Sequence, residues 1–180
     1  MSKANQNSQL CSTKQQKTEH IYKLYSSLTQ LSKMELKPKI GIDNLTFGLN
    51  KLEVIKILGE PNRVFEMEDD DNELTLEWNE KKLRLTFYKN ENEKFGYLRT
   101  SNTKLTYNGH LIINSNSQFA KEEIFCELLE WEKEEYEFLT VYFNENYWLS
   151  LNCEYGKVID IEMGVTFKDD ENYDWPKITQ

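Results

Sequence analysis

The sequence contains few of the residues that build catalytic or metal centres. Its two histidines, His20 and His110, lie far apart, and its three cysteines have no Cys-x-x-Cys spacing. Neither set matches a metal-ligand motif, so we expect no metal site. The seven glycines form no phosphate-binding loop, and no Ser, His and Asp can be grouped as a nucleophilic triad. We therefore expect a protein that has no cofactor and is not an enzyme, since a hydrolase would need a cleft with converging, perturbed carboxylates.

Disulfides and membrane spans are not indicated either. The odd number of widely spaced cysteines, Cys11, Cys126 and Cys153, fits reduced thiols better than a disulfide framework. The N-terminus lacks the apolar run of a secretory signal. No stretch approaches the roughly 20 apolar residues that cross a bilayer. These features predict a cytoplasmic location.

Positive charge is scarce beyond the first forty residues. Residues 1–40 contain seven Lys against two Glu, whereas residues 41–180 contain 15 Lys and Arg against 29 Asp and Glu, a net charge of −14. Such acidity argues against nucleic acid or an anionic membrane as partner. It favours a basic protein partner. The alternative is that the acidity only aids solubility.

Composition and hydrophobic pattern divide the chain into four segments. Residues 1–17 are polar and predicted to be disordered. Residues 18–40 carry apolar side chains at helical spacing and are predicted to form an N-terminal amphipathic helix and a linker. A first repeat is predicted over 41–109 and a second over 110–176, and we expect the two to form one globular domain.

The clearest local signal is a short helix after Asn50. Asn50 is a good N-cap residue, and Glu53 follows at the spacing of a capping box. Gly59 and Pro61 mark its end. A strand-rich stretch follows, and the same order of elements begins again about seventy residues later, in a weaker form. The pattern predicts an α+β fold of tandem repeats, each a helix followed by an antiparallel meander.

Residues 47–61, Phe-Gly-Leu-Asn-Lys-Leu-Glu-Val-Ile-Lys-Ile-Leu-Gly-Glu-Pro, resemble the signature of β-lactamase-inhibitor-protein-like repeats. That group includes small outer-membrane-assembly lipoproteins and many bacterial toxin-immunity proteins. The resemblance covers residues 44–167 as two copies, and the second copy lacks the Gly and Pro after its helix. It implies helices packed on one side of a curved antiparallel sheet, and a protein partner on the exposed side. It transfers no catalytic residue.

Alternation in the second repeat predicts an aromatic and acidic surface opposite the core. Leu139, Val141 and Phe143 are expected on the buried face, with further apolar residues of the next two strands, Ile159 among them. The predicted partner-binding residues are Tyr136, Phe138, Tyr142, Trp148, Asp160 and Glu162, together with an acidic turn at Asp69, Asp70 and Asp71. The aromatic residues would anchor a basic partner and the acids would steer its approach. The alternative is that the N-terminal helix covers this face and that the aromatic residues are core.

Two functions follow as hypotheses. The first, which rests on the family resemblance and on charge, is a cytosolic immunity protein that binds and neutralises a basic, nuclease-like bacterial toxin. The second is a non-enzymatic structural or adaptor module that dimerises through the helix predicted near residues 18–34. The chain would accordingly be a monomer or a dimer.

Overall fold

The computed structural model describes residues 34–67 and 70–177. The tail predicted over 1–17, nearly all of the helix predicted after it, and Asp69 lie outside the described residues. Within the described ranges, no helix is long and apolar enough to cross a membrane.

The described residues form thirteen strands and two short helices. In chain order these are β1 (Met34–Lys37), β2 (Gly41–Ile42), β3 (Leu45–Thr46), α1 (Lys51–Leu58), β4 (Arg63–Met67), β5 (Asp70–Trp78), β6 (Leu83–Tyr88), β7 (Lys94–Thr100), β8 (Leu105–Tyr107), β9 (His110–Leu111), α2 (Ser117–Phe119), β10 (Glu132–Glu135), β11 (Leu139–Asn144), β12 (Leu149–Glu154) and β13 (Lys157–Gly164). Helix α2 continues as a π-helical turn, Ala120–Ile124. Short 3-10 turns follow β6 and β11.

The larger sheet has eight strands in the order β10-β11-β12-β13-β7-β6-β5-β4. Every pair in it is antiparallel. The pairing of β13 with β7, from Ile161 opposite Thr100 to Gly164 opposite Tyr97, joins two four-stranded meanders into one continuous sheet. Strands β10 and β4 are therefore its edges.

The smaller sheet has five strands in the order β3-β2-β1-β8-β9, and β1 runs parallel to β8. Its strands are two to four residues long. Leu36, Ile42 and Leu105 from this sheet are almost completely buried in the main core. The smaller sheet is thus held by burial of its apolar side chains as well as by its few ladder hydrogen bonds.

Helix α1 has the ends that the sequence predicts. The Asn50 Oδ1 accepts from the Glu53 backbone N–H at 3.0 Å, and the Glu53 Oε2 accepts from the Asn50 N–H at 2.9 Å, which completes the capping box. Gly59, at φ +82°, ends the helix and donates its N–H to the Ile55 carbonyl. The Trp78 indole Nε1 then donates to the Gly59 carbonyl at 3.0 Å. The end of α1 is therefore fixed on β5.

The core lies on one face of the larger sheet, here called the core face. It is one continuous cluster that includes Val54 of α1, Phe125 after α2 and apolar residues of both sheets. Phe95 is central to it, with ring centroids 4.9 Å from Phe47 and 6.1 Å from Phe87. These contacts place α1, α2 and the smaller sheet on the core face.

The opposite face of the larger sheet, here called the open face, is defined by a row of residues that lie opposite one another across all eight strands. That row is Arg63, Glu77, Arg84, Arg99, Glu162, Ser150, Phe143 and Glu132. Six of its eight members are charged. The open face therefore has a polar character that the core face lacks.

The predicted fold of tandem helix-plus-meander repeats is wrong. The described part of the chain is dominated by two sheets of five and eight strands, and its two helices are short. The smaller sheet uses residues of the predicted linker, of both ends of the predicted first repeat and of the start of the second. Strands of two to four residues are too short to show a period of two, so pattern alone could not reveal them.

One face assignment in β13 is also wrong, because of a β-bulge. Asn152 lies opposite Asp160, but the next residue, Cys153, lies opposite Val158, so Ile159 is an extra residue in β13. The insertion reverses the alternation at this point. Val158 is consequently fully buried, where Ile159 was expected.

Candidate functional site

The predicted partner-binding residues do not form one surface. Tyr136 and Phe138, in the turn between β10 and β11, are exposed by 59% and 63%. Tyr142 is on the core face, because it lies opposite the buried Leu151. Its ring packs against the core, and the Lys121 ammonium lies 3.7 Å from the ring centroid. Tyr142 is therefore a structural residue.

The alternation predicted for β11 is the reverse of what the structure has. Val141 and Phe143 lie opposite Asn152 and Ser150, which puts them on the open face. The hairpin sets this register: Asn144 lies opposite Leu149, and residues 145–148 form the loop, with Trp148 in the left-handed region at φ +48°. Since one residue of slip moves every side chain to the other face, the pattern in β11 alone could not fix its orientation.

Asp160 and Glu162 are held by a hydrogen-bonded network on the open face that contains one cation, Arg99. Arg99 contacts Asp160 Oδ2 at 2.9 Å and Glu162 Oε1 at 3.2 Å. The Asn152 side-chain amide donates to both carboxylates, at 2.7 and 2.9 Å. The Tyr97 hydroxyl donates to Glu162 Oε2. These two acids are therefore poorly placed to attract a basic partner.

The network also fixes the protonation of its members. Burial raises the pKa of the Tyr97 phenol above its usual range, and the hydrogen bond to Glu162 raises it further. Burial alone would lower the pKa of Arg99, but its hydrogen bond to Asp160 and the charges of Asp160 and Glu162 outweigh that effect and raise it. Tyr97 stays neutral and Arg99 stays charged at physiological pH.

Trp148 belongs to an aromatic cluster on the open face. Its ring centroid is 5.5 Å from Phe143 and 5.4 Å from Phe167, and Phe167 stacks on Tyr173 at 4.7 Å. The indole lies directly over Gly164, where an added Cβ would be 2.5 Å from Trp148 Cδ1. The cluster packs the segment that follows β13 onto the sheet, so Trp148 has a structural role.

The acidic turn lies far from the rest of the predicted site. The backbone of Asp70 and Asp71 forms the start of β5, and five strands separate β5 from β10 in the sheet. The turn therefore cannot share a binding surface with Tyr136 and Phe138.

A second acidic surface surrounds Tyr136 and Phe138 and was largely missed from the sequence. We call residues 127–138 the acidic edge. It contains six Glu and one Lys, and all six Glu are exposed. It includes β10, the edge strand of the larger sheet, and the exposed apolar side chain of Leu129, at 71%. Acidic and apolar groups thus alternate along one exposed border.

Ion pairs within the acidic edge leave most of its charge uncompensated. Lys133 contacts Glu135 at 2.5 Å. The Tyr136 hydroxyl donates to Glu134 at 2.6 Å, and the Tyr107 hydroxyl donates to Glu127. Among the described residues, Glu132 contacts no cation. The acidic edge therefore presents a negative field to an approaching molecule.

A cavity of about 430 Å³ opens in the acidic edge. It is lined by Glu130, Trp131, Glu132, Glu145 and Asn146. The Trp131 ring is half-buried and packs edge-to-face on Phe125 at 6.0 Å, and its Nε1 is buried with no hydrogen-bond partner in the described part of the chain. Three carboxylates beside an indole are the groups that bind an ammonium or guanidinium ion.

One weak signal for this cavity is present in the sequence. The first predicted helix is followed by Gly and Pro. The second is followed instead by Leu129-Glu130-Trp131. Read from the sequence, that difference predicts only an altered loop. Glu145 and Asn146 come from a different hairpin, so their approach to Trp131 depends on the register of β10 with β11.

Comparison with known proteins shows little. No family model matches this chain. No curated protein matches it either. An extracellular protein with an SCP domain from Bacillus anthracis is 10% identical, with a TM-score of 0.42 over 69% of this chain and 44% of that one. A cysteine-rich secretory protein from Staphylococcus aureus is 12% identical, with a TM-score of 0.43 over 74% of this chain and 50% of that one. The chain spans about half the length of these structures.

These findings correct two predictions. The assignment to β-lactamase-inhibitor-protein-like immunity repeats is contradicted, because no family model matches and the described residues do not form the expected tandem repeats. The predicted cytoplasmic location is withdrawn, because none of these findings supports it. At these TM-scores the likeness supports no statement about what this chain binds or where it acts.

Proposed function

We propose that this chain is a binding protein without enzymatic activity, and that it docks a basic protein on its acidic edge. The observation that carries the proposal is the cavity lined by Glu130, Trp131, Glu132 and Glu145. It combines three carboxylates with an aromatic ring at the border of a sheet. We propose that it receives one arginine or lysine side chain of the partner.

The chemistry of the cavity favours arginine. A guanidinium can form paired, charge-assisted hydrogen bonds with carboxylates and can stack on an indole. A cation over an aromatic face gains about 0.5–2 kcal/mol, and more where water is excluded. Lysine would make the same charge contacts but would lack the planar stacking surface.

The surroundings of the cavity suit a protein partner better than a small cation. Leu129, Tyr136 and Phe138 are exposed and flank the acidic groups. Large apolar and aromatic side chains supply most of the energy in protein interfaces, and charges around them raise the association rate. A small cation would use the carboxylates and leave these side chains in water.

A peptide titration tests this proposal. The probe is a 12-residue peptide with Arg at every second position, and its counterpart with Gln in place of Arg is the control ligand. We expect the Arg peptide to bind by calorimetry and the Gln peptide not to bind. The double variant E130Q/E132Q should weaken binding by at least tenfold.

The matched control is Glu135→Gln. Glu135 is on the same strand, is already paired with Lys133 and does not line the cavity, so its loss should change affinity by less than about twofold. If E135Q weakens binding as much as the double variant, the attraction is general electrostatics and the cavity has no special role. Absence of binding at low salt would overturn the proposal altogether.

Two narrower hypotheses stay predictions. Neutralisation of a basic toxin depends on a family resemblance that the comparisons contradict, so we propose only the binding of a basic protein. Dimerisation through the helix predicted near residues 18–34 concerns a segment almost wholly outside the described residues.

A further inference from the structure

The open face carries another cavity, which begins at the centre of the sheet and extends away from the acidic edge. Its volume is about 420 Å³, within the range of small-molecule sites. Its lining comes from β5, β6, β7, β13 and the residues next to these strands, and includes Glu77, Lys82, Arg84, Arg99, Ser101 and Asp160. It shares no lining residue with the cavity at Trp131.

The cavity contains more cations than the strongly acidic protein around it, since residues 41–180 as a whole carry −14. Three cations, Lys82, Arg84 and Arg99, line it with two carboxylates, Glu77 and Asp160. Glu162 is a third carboxylate beside the cavity and pairs with Arg99. The cation left without an ion pair among the described residues is Lys82.

Two of the cations have hydrogen-bond donors to spare. Arg84 uses its Nε to contact Glu77 Oε1 at 3.1 Å, and its two terminal nitrogens have no partner in the described part of the chain. Lys82 is exposed and, within the same residues, has no ion pair. Arg99 differs, because both its terminal nitrogens are engaged by Asp160 and Glu162. Arg84 and Lys82 can therefore contact a ligand directly, while Arg99 is already held by two carboxylates.

The register adds an energetic argument. Arg84 and Arg99 lie directly opposite each other on β6 and β7. Like charges in directly opposed positions destabilise a sheet. Glu77 and Asp160 lie on the outer sides of this pair and offset part of the repulsion. An anion bound by the terminal nitrogens of Arg84 would offset more of it.

We propose that this cavity binds a small organic phosphate. The two terminal nitrogens of Arg84 can donate hydrogen bonds to two oxygens of one phosphate. Lys82 supplies a second positive charge on a flexible side chain. The cavity has room for an organic group beyond the phosphate itself. This site is independent of the proposed partner-binding edge and does not rest on it.

The test is a titration followed by two-dimensional ¹⁵N NMR, with glucose 6-phosphate, inorganic phosphate and glucose as separate probes. We expect both phosphates to shift the backbone amides of Arg84 and Ser101, glucose 6-phosphate to bind more tightly, and glucose to have no effect. Equal affinity for both phosphates would overturn the inference that the cavity accommodates an organic group. Absence of shifts at millimolar concentrations would overturn the site itself.

Variants distinguish binding in this cavity from non-specific electrostatic attraction. Arg84→Gln should lower the affinity for glucose 6-phosphate by at least tenfold, and Lys82→Gln by at least threefold. Lys82→Gln removes an exposed side chain without an ion pair, so the fold should tolerate it. The matched control is Arg63→Gln, because Arg63 approaches the same Glu77 at 4.0 Å but does not line the cavity. If R63Q weakens binding as much as R84Q, the proposed site is overturned.

Discussion

Arg99 holds two carboxylates on the open face, so its replacement should destabilise the protein measurably. The Asp160 and Glu162 side chains are only 10% and 24% exposed, whereas that of Arg99 is 46% exposed. Removing one partner of a fully buried pair costs about 3–5 kcal/mol, and an exposed pair is worth about 0.2–1 kcal/mol. For this half-exposed cation we expect Arg99→Met to lower the free energy of unfolding by about 1–3 kcal/mol at pH 7.

Urea unfolding measures this loss. With a typical slope of about 1–3 kcal/mol per molar urea, the midpoint should fall by roughly 1 M. In a double-mutant cycle, R99M/D160N should lose less than the sum of the single variants.

Lys51→Met is the matched control. Lys51 contacts Glu93 at 3.0 Å, and the two side chains are 29% and 44% exposed, so the free energy of unfolding should fall by less than about 1 kcal/mol. The prediction is refuted if Arg99→Met costs no more than Lys51→Met.

Three further predictions concern single positions. Burial raises the pKa of the Cys153 thiol from 9.0 to about 11. Iodoacetamide at pH 8 should therefore label the exposed Cys126 rapidly and Cys153 only after unfolding. The stability contributed by the neutral thiol should be lost as the pH rises from about 9 to 11. Gly164→Ala would place a Cβ 2.5 Å from Trp148 Cδ1. We expect the free energy of unfolding measured with urea to fall by about 1–3 kcal/mol and the tryptophan fluorescence to shift. Unchanged fluorescence would contradict the position of the Trp148 ring. Asn50→Ala removes the helix cap and should cost about 1 kcal/mol in thermal unfolding, whereas no loss would mean that the cap is energetically redundant.

The sequence predicts local structure well where a few adjacent residues determine it. Asn50, Glu53 and Gly59 define the ends of α1 because their caps use contacts within one or two turns, and the structure confirms them. The smaller sheet could not be predicted in this way. Its strands pair residues that are distant in sequence, such as Met34 and Leu105, and each strand is too short to show a pattern.

The candidate site was predicted in part. Tyr136 and Phe138 are exposed, but they lie in the turn before β11, whereas the alternation placed them on a strand face. Tyr142 was placed on the wrong face because its orientation depends on how β11 pairs with β12. Asp160 appeared to be a free acid because nothing near it in sequence identifies Arg99, on another meander, as its partner.

The pairing of β7 with β13 has a consequence for any attempt to divide the protein. Each is the last strand of its own meander, and each covers the backbone edge of the other. A half-molecule that ended before residue 110 would expose the N–H and C=O groups of β7 to water and to other chains, and edges of this kind template aggregation. We therefore expect such fragments to precipitate separately and to recover a native sheet only when they are refolded together.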